Sequence, residues 1–218
     1  MKRKFIIFPA LLLIVNLGFA QYRNYSTYFI SRMGISVGGA LSATSIENLR
    51  PNSDGLTTPT SKTKVKPGFS IMLTSEEDLS DAVKLRADAG YVQSGFRYSH
   101  FNTTYKYTSH DVYLNTGLKI KPLDFGPFSP YIYAGVNMRV SVASDSKAKP
   151  EPDWEYIPFT NDFNNHSLGW NAAIGTEYND LFFFEFGYSS SFLHFATDDN
   201  QKFRSSFFGL TAGVYFLR

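Results

Sequence analysis

The stretch HSLGWNAAIGTEYNDLFFFEFGYSSSF, residues 166–192, decides the fold. Read in steps of two, Leu168, Trp170, Ala172, Ile174 and Tyr178 share one phase, and Gly169, Asn171, Ala173, Gly175 and Glu177 share the other. Asn179-Asp180 interrupts the alternation with a two-residue hairpin signal. Then Phe182, Phe184, Phe186, Tyr188 and Phe192 oppose Phe183, Glu185, Gly187, Ser189 and Ser191. Strict alternation predicts strands. One face is large and apolar, while the other is small and polar and carries both carboxylates. A sheet with lipid on one side and a polar interior on the other requires this pattern.

The same alternation recurs outward in both directions. Strands are predicted over Arg32–Ala43, from near Gly68, over Val83–Tyr98, Thr108–Ile120, Pro130–Ala143, His166–Tyr178, Leu181–Phe195 and Phe203–Leu217. The links alternate in character. Thr44–Lys66, Phe101–Tyr107, Ser144–Asn165 and Thr197–Gln201 are long or polar, whereas Ser80-Asp81, Pro122–Pro127 and Asn179-Asp180 are short. Outer-membrane barrels have an even strand number, long external loops and short periplasmic turns. The expected architecture is therefore all-β: an eight-stranded antiparallel up-and-down transmembrane β-barrel, with both ends of the chain on the periplasmic side. The alternative is a soluble barrel of lipocalin type, which would turn its apolar phase inward.

The N-terminus suits export. Lys2, Arg3 and Lys4 precede an apolar run from Phe5 to Leu17, and Gly18-Phe19-Ala20 places small residues before Gln21. This is the pattern of a cleaved signal peptide over residues 1–20. The alternative, a membrane anchor, needs about 20 apolar residues. Removal of the signal leaves about 198 residues, enough for one domain: a short periplasmic segment at 21–30, with Tyr22, Tyr25, Tyr28 and Phe29, and a barrel at 31–218. The chain has no cysteine, which excludes disulfide scaffolds, thiolate metal sites and a lipidated cysteine. A net charge of +2 gives no reason to expect nucleic acid. Aromatic residues make up 17% of the chain, with 21 Phe and 14 Tyr; in a membrane barrel such rings face lipid or form girdles at the interfaces.

Several stretches carry a family resemblance. They are Pro67-Gly68-Phe69-Ser70, Lys84-Leu85-Arg86-Ala87-Asp88-Ala89-Gly90-Tyr91 with Gln93 and Gly95 behind it, Pro130-Tyr131-Ile132-Tyr133-Ala134-Gly135, and Gly175-Thr176-Glu177-Tyr178. In their order and spacing the chain resembles the small outer-membrane β-barrel domain abundant in Bacteroidetes, often called PorT-like. The resemblance implies an outer-membrane location and this fold, and some relatives serve protein secretion. The terminal Arg218 replaces the aromatic residue common at the end of such barrels; Tyr215 and Phe216 stand close by.

On the polar phase lie Arg32, Glu76, Lys84, Arg86, Asp88, Lys119, Arg139, Glu177 and Glu185. An eight-stranded lumen is filled by side chains, and charges buried there need partners. An interior ion network is expected among Arg86, Asp88, Arg139, Glu177 and Glu185, with the two glutamates sharing Arg86 or Arg139. The alternative for the same set is a proton or ion path. His100, His110, His166 and His194, with Ser99, Ser109 and Ser167 beside three of them, offer candidates for a lipid hydrolase, but adjacency in sequence does not make a triad. No close ligand spacing supports a metal, and no cofactor is expected. The partners expected are outer-membrane lipid and lipopolysaccharide, with protein contacts at loops 44–66 and 144–165. Lys62, Lys64 and Lys66 read first as a solvated loop, with contact to lipopolysaccharide phosphate as the alternative, and Pro150–Tyr156 mixes acid with aromatic groups on a loop that either anchors a partner or packs on the rim. The expected role is a non-enzymatic scaffold or accessory of an outer-membrane complex. An outer-leaflet lipid enzyme and a narrow solute pore are the alternatives.

Overall fold

The computed structural model describes residues 31–48, 61–100, 103–122, 126–150, 166–192, 196–198 and 201–217. The expectations for residues 1–20 and 21–30, for 49–60 and 151–165, and for the side chains of His100 and His194 lie outside the described residues. Eight long strands carry the fold: β1 (Arg32–Asn48), β2 (Lys66–Asp78), β3 (Val83–His100), β4 (Thr103–Ile120), β5 (Phe128–Pro150), β6 (His166–Tyr178), β7 (Phe182–Ser191) and β8 (Gln201–Leu217). Each pairs antiparallel with the next, and β8 returns to β1 from Asn48↔Gln201 to Met33↔Leu217. The sheet is closed. Two short strands, Ser61–Lys62 and Ala196–Asp198, extend its rim against β1 and β8.

The register gives the stagger. Neighbour by neighbour, Arg32, Glu76, Arg86, Gly117, Gly135, Asn171, Ser189 and Phe207 lead back to β1 at Ser42, ten residues beyond the start. Such a shear goes with strands tilted by about 35–45°. At the β6–β7 turn, Asn179 (φ 53) and Asp180 (φ 52) are both left-handed, as a type I′ hairpin needs.

The inside is polar and the outside apolar. Ile174 is 63% exposed while Glu177, three residues on, is 0% exposed. Leu210, Phe184 and Val136 face outward; Arg86, Asp88, Lys119 and Arg139 are buried. A soluble protein orders its residues the other way, so the lipocalin-type alternative falls. Inward glycines make room for rings: a Cβ at Gly175 would run into Tyr131, and one at Gly213 into Phe183.

The strands run further than hydrophobic alternation predicts. β1 continues past Ala43 to Asn48, β5 past Ala143 to Pro150, and β3 and β4 stay paired to His100↔Thr103, where a link over Phe101–Tyr107 is expected from sequence. The backbone ladder persists above the hydrocarbon, where neither face needs apolar side chains. β7 is shorter than its alternation suggests and ends at Ser191. The barrel is thus tall at β3–β5 (18, 18 and 23 residues) and short at β6–β7 (13 and 10).

Candidate functional site

The candidate site is the lumen, which divides into three levels from the turn end (turns 79–82, 121–127 and 179–181) to the loop end.

At the turn end, Arg32 enters on β1, Glu76 on β2, Lys119 on β4, Glu177 on β6 and Tyr215 on β8. Arg32 grips Glu177 with both terminal nitrogens, at 2.7 and 3.2 Å, and also donates to Glu76. Lys119 Nζ lies 2.7 Å from Glu76 Oε1 and also pairs with Glu177. It donates at 3.0 Å to the Tyr215 hydroxyl, which donates to Glu76 Oε1 at 2.6 Å. The Lys119 ammonium and the Arg32 guanidinium also lie over the Tyr131 and Tyr215 rings, at 4.2 and 4.1 Å. Below them, Lys121 bridges Glu177 (2.9 Å) and Asp180 (3.1 Å). Burial works against the Lys121 charge, but its contacts with Glu177 and Asp180 outweigh that and raise its pKa above the ordinary lysine value. Three cations face three anions. Glu76, Lys119 and Glu177 side chains are wholly buried, and buried charges persist only with such pairing.

In mid-lumen, Arg86 donates to Asp88 Oδ1 (2.9 Å) and to Glu185 Oε2 (2.5 Å). Asp88 also accepts from Thr74 (2.7 Å) and Asn115 (2.9 Å), and Glu185 from the Tyr131 hydroxyl (3.1 Å). Beside this group lies a cavity of about 70 Å³ whose lining includes Ser36, Asn115, Asn171 and Thr211. Ser36 Oγ, Asn115 Oδ1 and Asn171 Oδ1 have no protein partner, and water is the partner a polar cavity of this size accommodates.

Toward the loop end, Arg139 donates to Ser191 (2.9 Å) and Ser205 (3.1 Å) and lies over the Phe207 ring at 5.5 Å. Asp111 accepts from Ser94 at 3.0 Å and from Ser109.

The structure therefore brings Arg86, Asp88 and Glu185 together and places Glu177 in a separate cluster. Glu177 meets Arg32, Lys119 and Lys121, not Arg86 or Arg139. Among the described residues Arg139 has no carboxylate in ion-pair range. The partners differ from expectation because the ten-residue stagger, which alternation does not encode, decides which inward residues meet. Lys84 is not in the lumen network; it pairs with Asp78 at the turn-end rim. Lys121 escapes the alternation because it lies just past a strand end. The Ser109 hydroxyl is committed to Asp111 and Ser141 in the lumen, whereas His110 contacts Tyr91 on the outer wall. His166 is exposed and its neighbour Ser167 buried. Neither pair assembles a Ser-His site.

Residues 19–197 match the profile of a family described as outer membrane protein beta-barrel domain, and the chain belongs to that family. It is an outer-membrane protein. No curated protein matches the sequence. Among solved structures the chain is similar to Ail, the attachment invasion locus protein of Yersinia pestis, at 14% identity over 86% of this chain and 99% of that one, with a TM-score of 0.40. Similarity to OprG of Pseudomonas aeruginosa is 14% identity over 87% and 98%, TM-score 0.44. The outer membrane protein AlkL matches at 12% identity over 90% and 95%, TM-score 0.48.

Proposed function

We propose that this protein is a non-conducting, non-enzymatic barrel that serves as a scaffold in the outer membrane, its loop end facing the exterior and its first 20 residues removed on export. One observation carries the reading: the turn end of the lumen is packed by the Arg32–Glu76–Lys119–Glu177–Tyr215 cluster. A solute path would have to break several buried ion pairs there. Separating one buried charge from its partner typically costs about 3–5 kcal/mol. The Pro67–Ser70, Lys84–Tyr91, Pro130–Gly135 and Gly175–Tyr178 stretches support membership of the PorT-like branch of the family, and with it an accessory role in an outer-membrane secretion complex.

The test is paired. Reconstituted in planar bilayers, the purified barrel should give no stepwise conductance; stable openings would instead establish the pore. Isolated from detergent-solubilised outer membrane, it should carry stoichiometric protein partners. A barrel that comes out alone under gentle conditions would end the scaffold reading.

A further inference from the structure

On the outer wall at the loop end, four cations stand in a row on neighbouring stretches of chain. Lys64 bridges to Arg97 on β3, Arg97 lies opposite Lys106 on β4, and Lys106 lies opposite Lys147 on β5. Residues opposed in this way have Cβ atoms about 4.5–5.5 Å apart, and like charges so placed destabilise a sheet. Alternation puts Arg97 on the outward phase of Tyr91, and Lys106 on that of Val112. A bulge then makes Val142 the unpaired residue between Ser141↔Asp111 and Ala143↔His110. It shifts the phase of β5 and brings Lys147 onto the same face, a common use of a bulge. Lys64, Arg97 and Lys147 are exposed and Lys106 half-buried.

Little nearby offsets this charge. Among the described residues the row has one ion pair, Lys147 with Asp145 at 3.2 Å, and both partners are about half exposed. Next to the row, buried Lys66 donates to neutral oxygens, Thr108 Oγ1 at 2.7 Å and the Ser94 carbonyl at 3.4 Å, and the carboxylate that acts on it at longer range is the same Asp145. The fold gains nothing from this repulsion. A polyanion laid along the row would convert it to attraction.

Height selects the polyanion. Phe69, Tyr91 and His110 form an aromatic band on the outer wall: the Phe69 and Tyr91 rings lie 5.4 Å apart, and the Tyr91 hydroxyl is 2.5 Å from His110 Nδ1. Such bands mark the membrane interface. Arg97 is six residues beyond Tyr91 on the same strand. At about 3.3 Å per residue and a tilt of about 40°, that is about 15 Å further along the membrane normal. With the loop end outward, that height corresponds to the sugar-phosphate layer of an outer leaflet, above its hydrocarbon. The row also spans three inter-strand steps, about 14 Å, wider than a single phosphate ion.

We infer that Lys64, Arg97, Lys106 and Lys147 form a binding site for the phosphorylated sugar headgroup of lipopolysaccharide, seated against the outer wall of β3–β5. The site rests on the loop end facing outward, as proposed above, but not on a sealed lumen or a protein partner. Its test in nanodiscs is blind to orientation in the cell, so the two readings fail separately. The full chain in phospholipid nanodiscs is titrated with lipopolysaccharide, with dephosphorylated lipopolysaccharide and with inorganic phosphate. The wild type should bind the first, bind the second at least about tenfold more weakly, and show no displacement by the third at millimolar concentration. Arg97→Gln/Lys106→Gln/Lys147→Gln should lose about tenfold or more in affinity, as removal of several cations near an anionic surface implies. It should also unfold no earlier than wild type, because repulsion has been removed. Lys84→Gln at the opposite end should bind as wild type. Should the triple variant not fold, Lys106→Gln alone should lose about threefold. Unchanged affinity in these row variants, or equal binding of the dephosphorylated lipid, would overturn the site. Displacement by inorganic phosphate would overturn its assignment to a lipid headgroup.

Discussion

At the turn end of the lumen, Arg32, Lys119, Glu76 and Glu177 neutralise one another; toward the loop end, Arg139 is held by the hydroxyls of Ser191 and Ser205 over the Phe207 ring. All five charged side chains are buried. In the first region each ion is solvated by other ions, so the group stands or falls together. In the second a single ion is solvated by small neutral dipoles on neighbouring strands, each of which can be lost separately. The difference predicts a steep fall in mutational cost along the barrel axis.

The largest effect should come from Glu177→Gln. Glu177 accepts from Arg32, Lys119 and Lys121, and its neutralisation leaves three cations facing Glu76 and Asp180. The expected loss is about 3–5 kcal/mol, read from urea unfolding in lipid vesicles. Adding Lys119→Met should recover part of that loss, because the pair is coupled. Additive costs in the double variant would break the view of the cluster as one unit.

Glu185→Gln should cost less, about 1.5–3 kcal/mol, the range for a hydrogen bond to a charged group. Glu185 has one cation partner, Arg86, and its side chain is 13% exposed. Asp88 remains to hold Arg86 in place. A cost equal to that of Glu177→Gln would remove the distinction between mid-lumen and turn end.

Arg139→Met should cost about 1 kcal/mol or less. Replacing a buried ion by an apolar side chain of similar length is often neutral, and Ser191 keeps a partner in the Ser205 carbonyl at 3.0 Å. A loss of 3 kcal/mol or more would mean that Arg139 belongs to an extended ion network after all.

Much of the fold can be read from Leu168, Ile174, Phe184 and Phe186 alternating with Asn171, Glu177 and Glu185. Lipid on one side and a filled lumen on the other enforce that alternation, and Asn179-Asp180 marks the turn. The strand tops are hidden because Thr44–Asn48 and Ser144–Pro150 stand above the hydrocarbon, where pairing continues without an apolar face. The inward position of Arg32, Glu76, Lys119 and Glu177 is equally legible, yet their partnership is not. Arg32 on β1 meets Glu177 on β6 only because the sheet closes with a ten-residue stagger, a property of the whole circuit and of no single segment. Arg139 shows the same limit: its parity is correct, but the stagger sets it among serines.

The smallest effect belongs to Asp78→Asn. Lys84 and Asp78 pair directly at the turn-end rim, and the Asp78 side chain is 50% exposed. Water already solvates this carboxylate, and exposed pairs typically contribute about 1 kcal/mol or less. The rim pair has opposite charges in direct contact, as the Arg32–Glu76 pair does two residues back along β2. If burial sets the cost, the rim variant should unfold within about 1 kcal/mol of wild type in the same urea series, and salt should erase even that difference. A loss comparable to that of Glu177→Gln would mean that contact between charges, not their removal from water, sets the gradient along the barrel, and the contrast between the two ends of the lumen would fail.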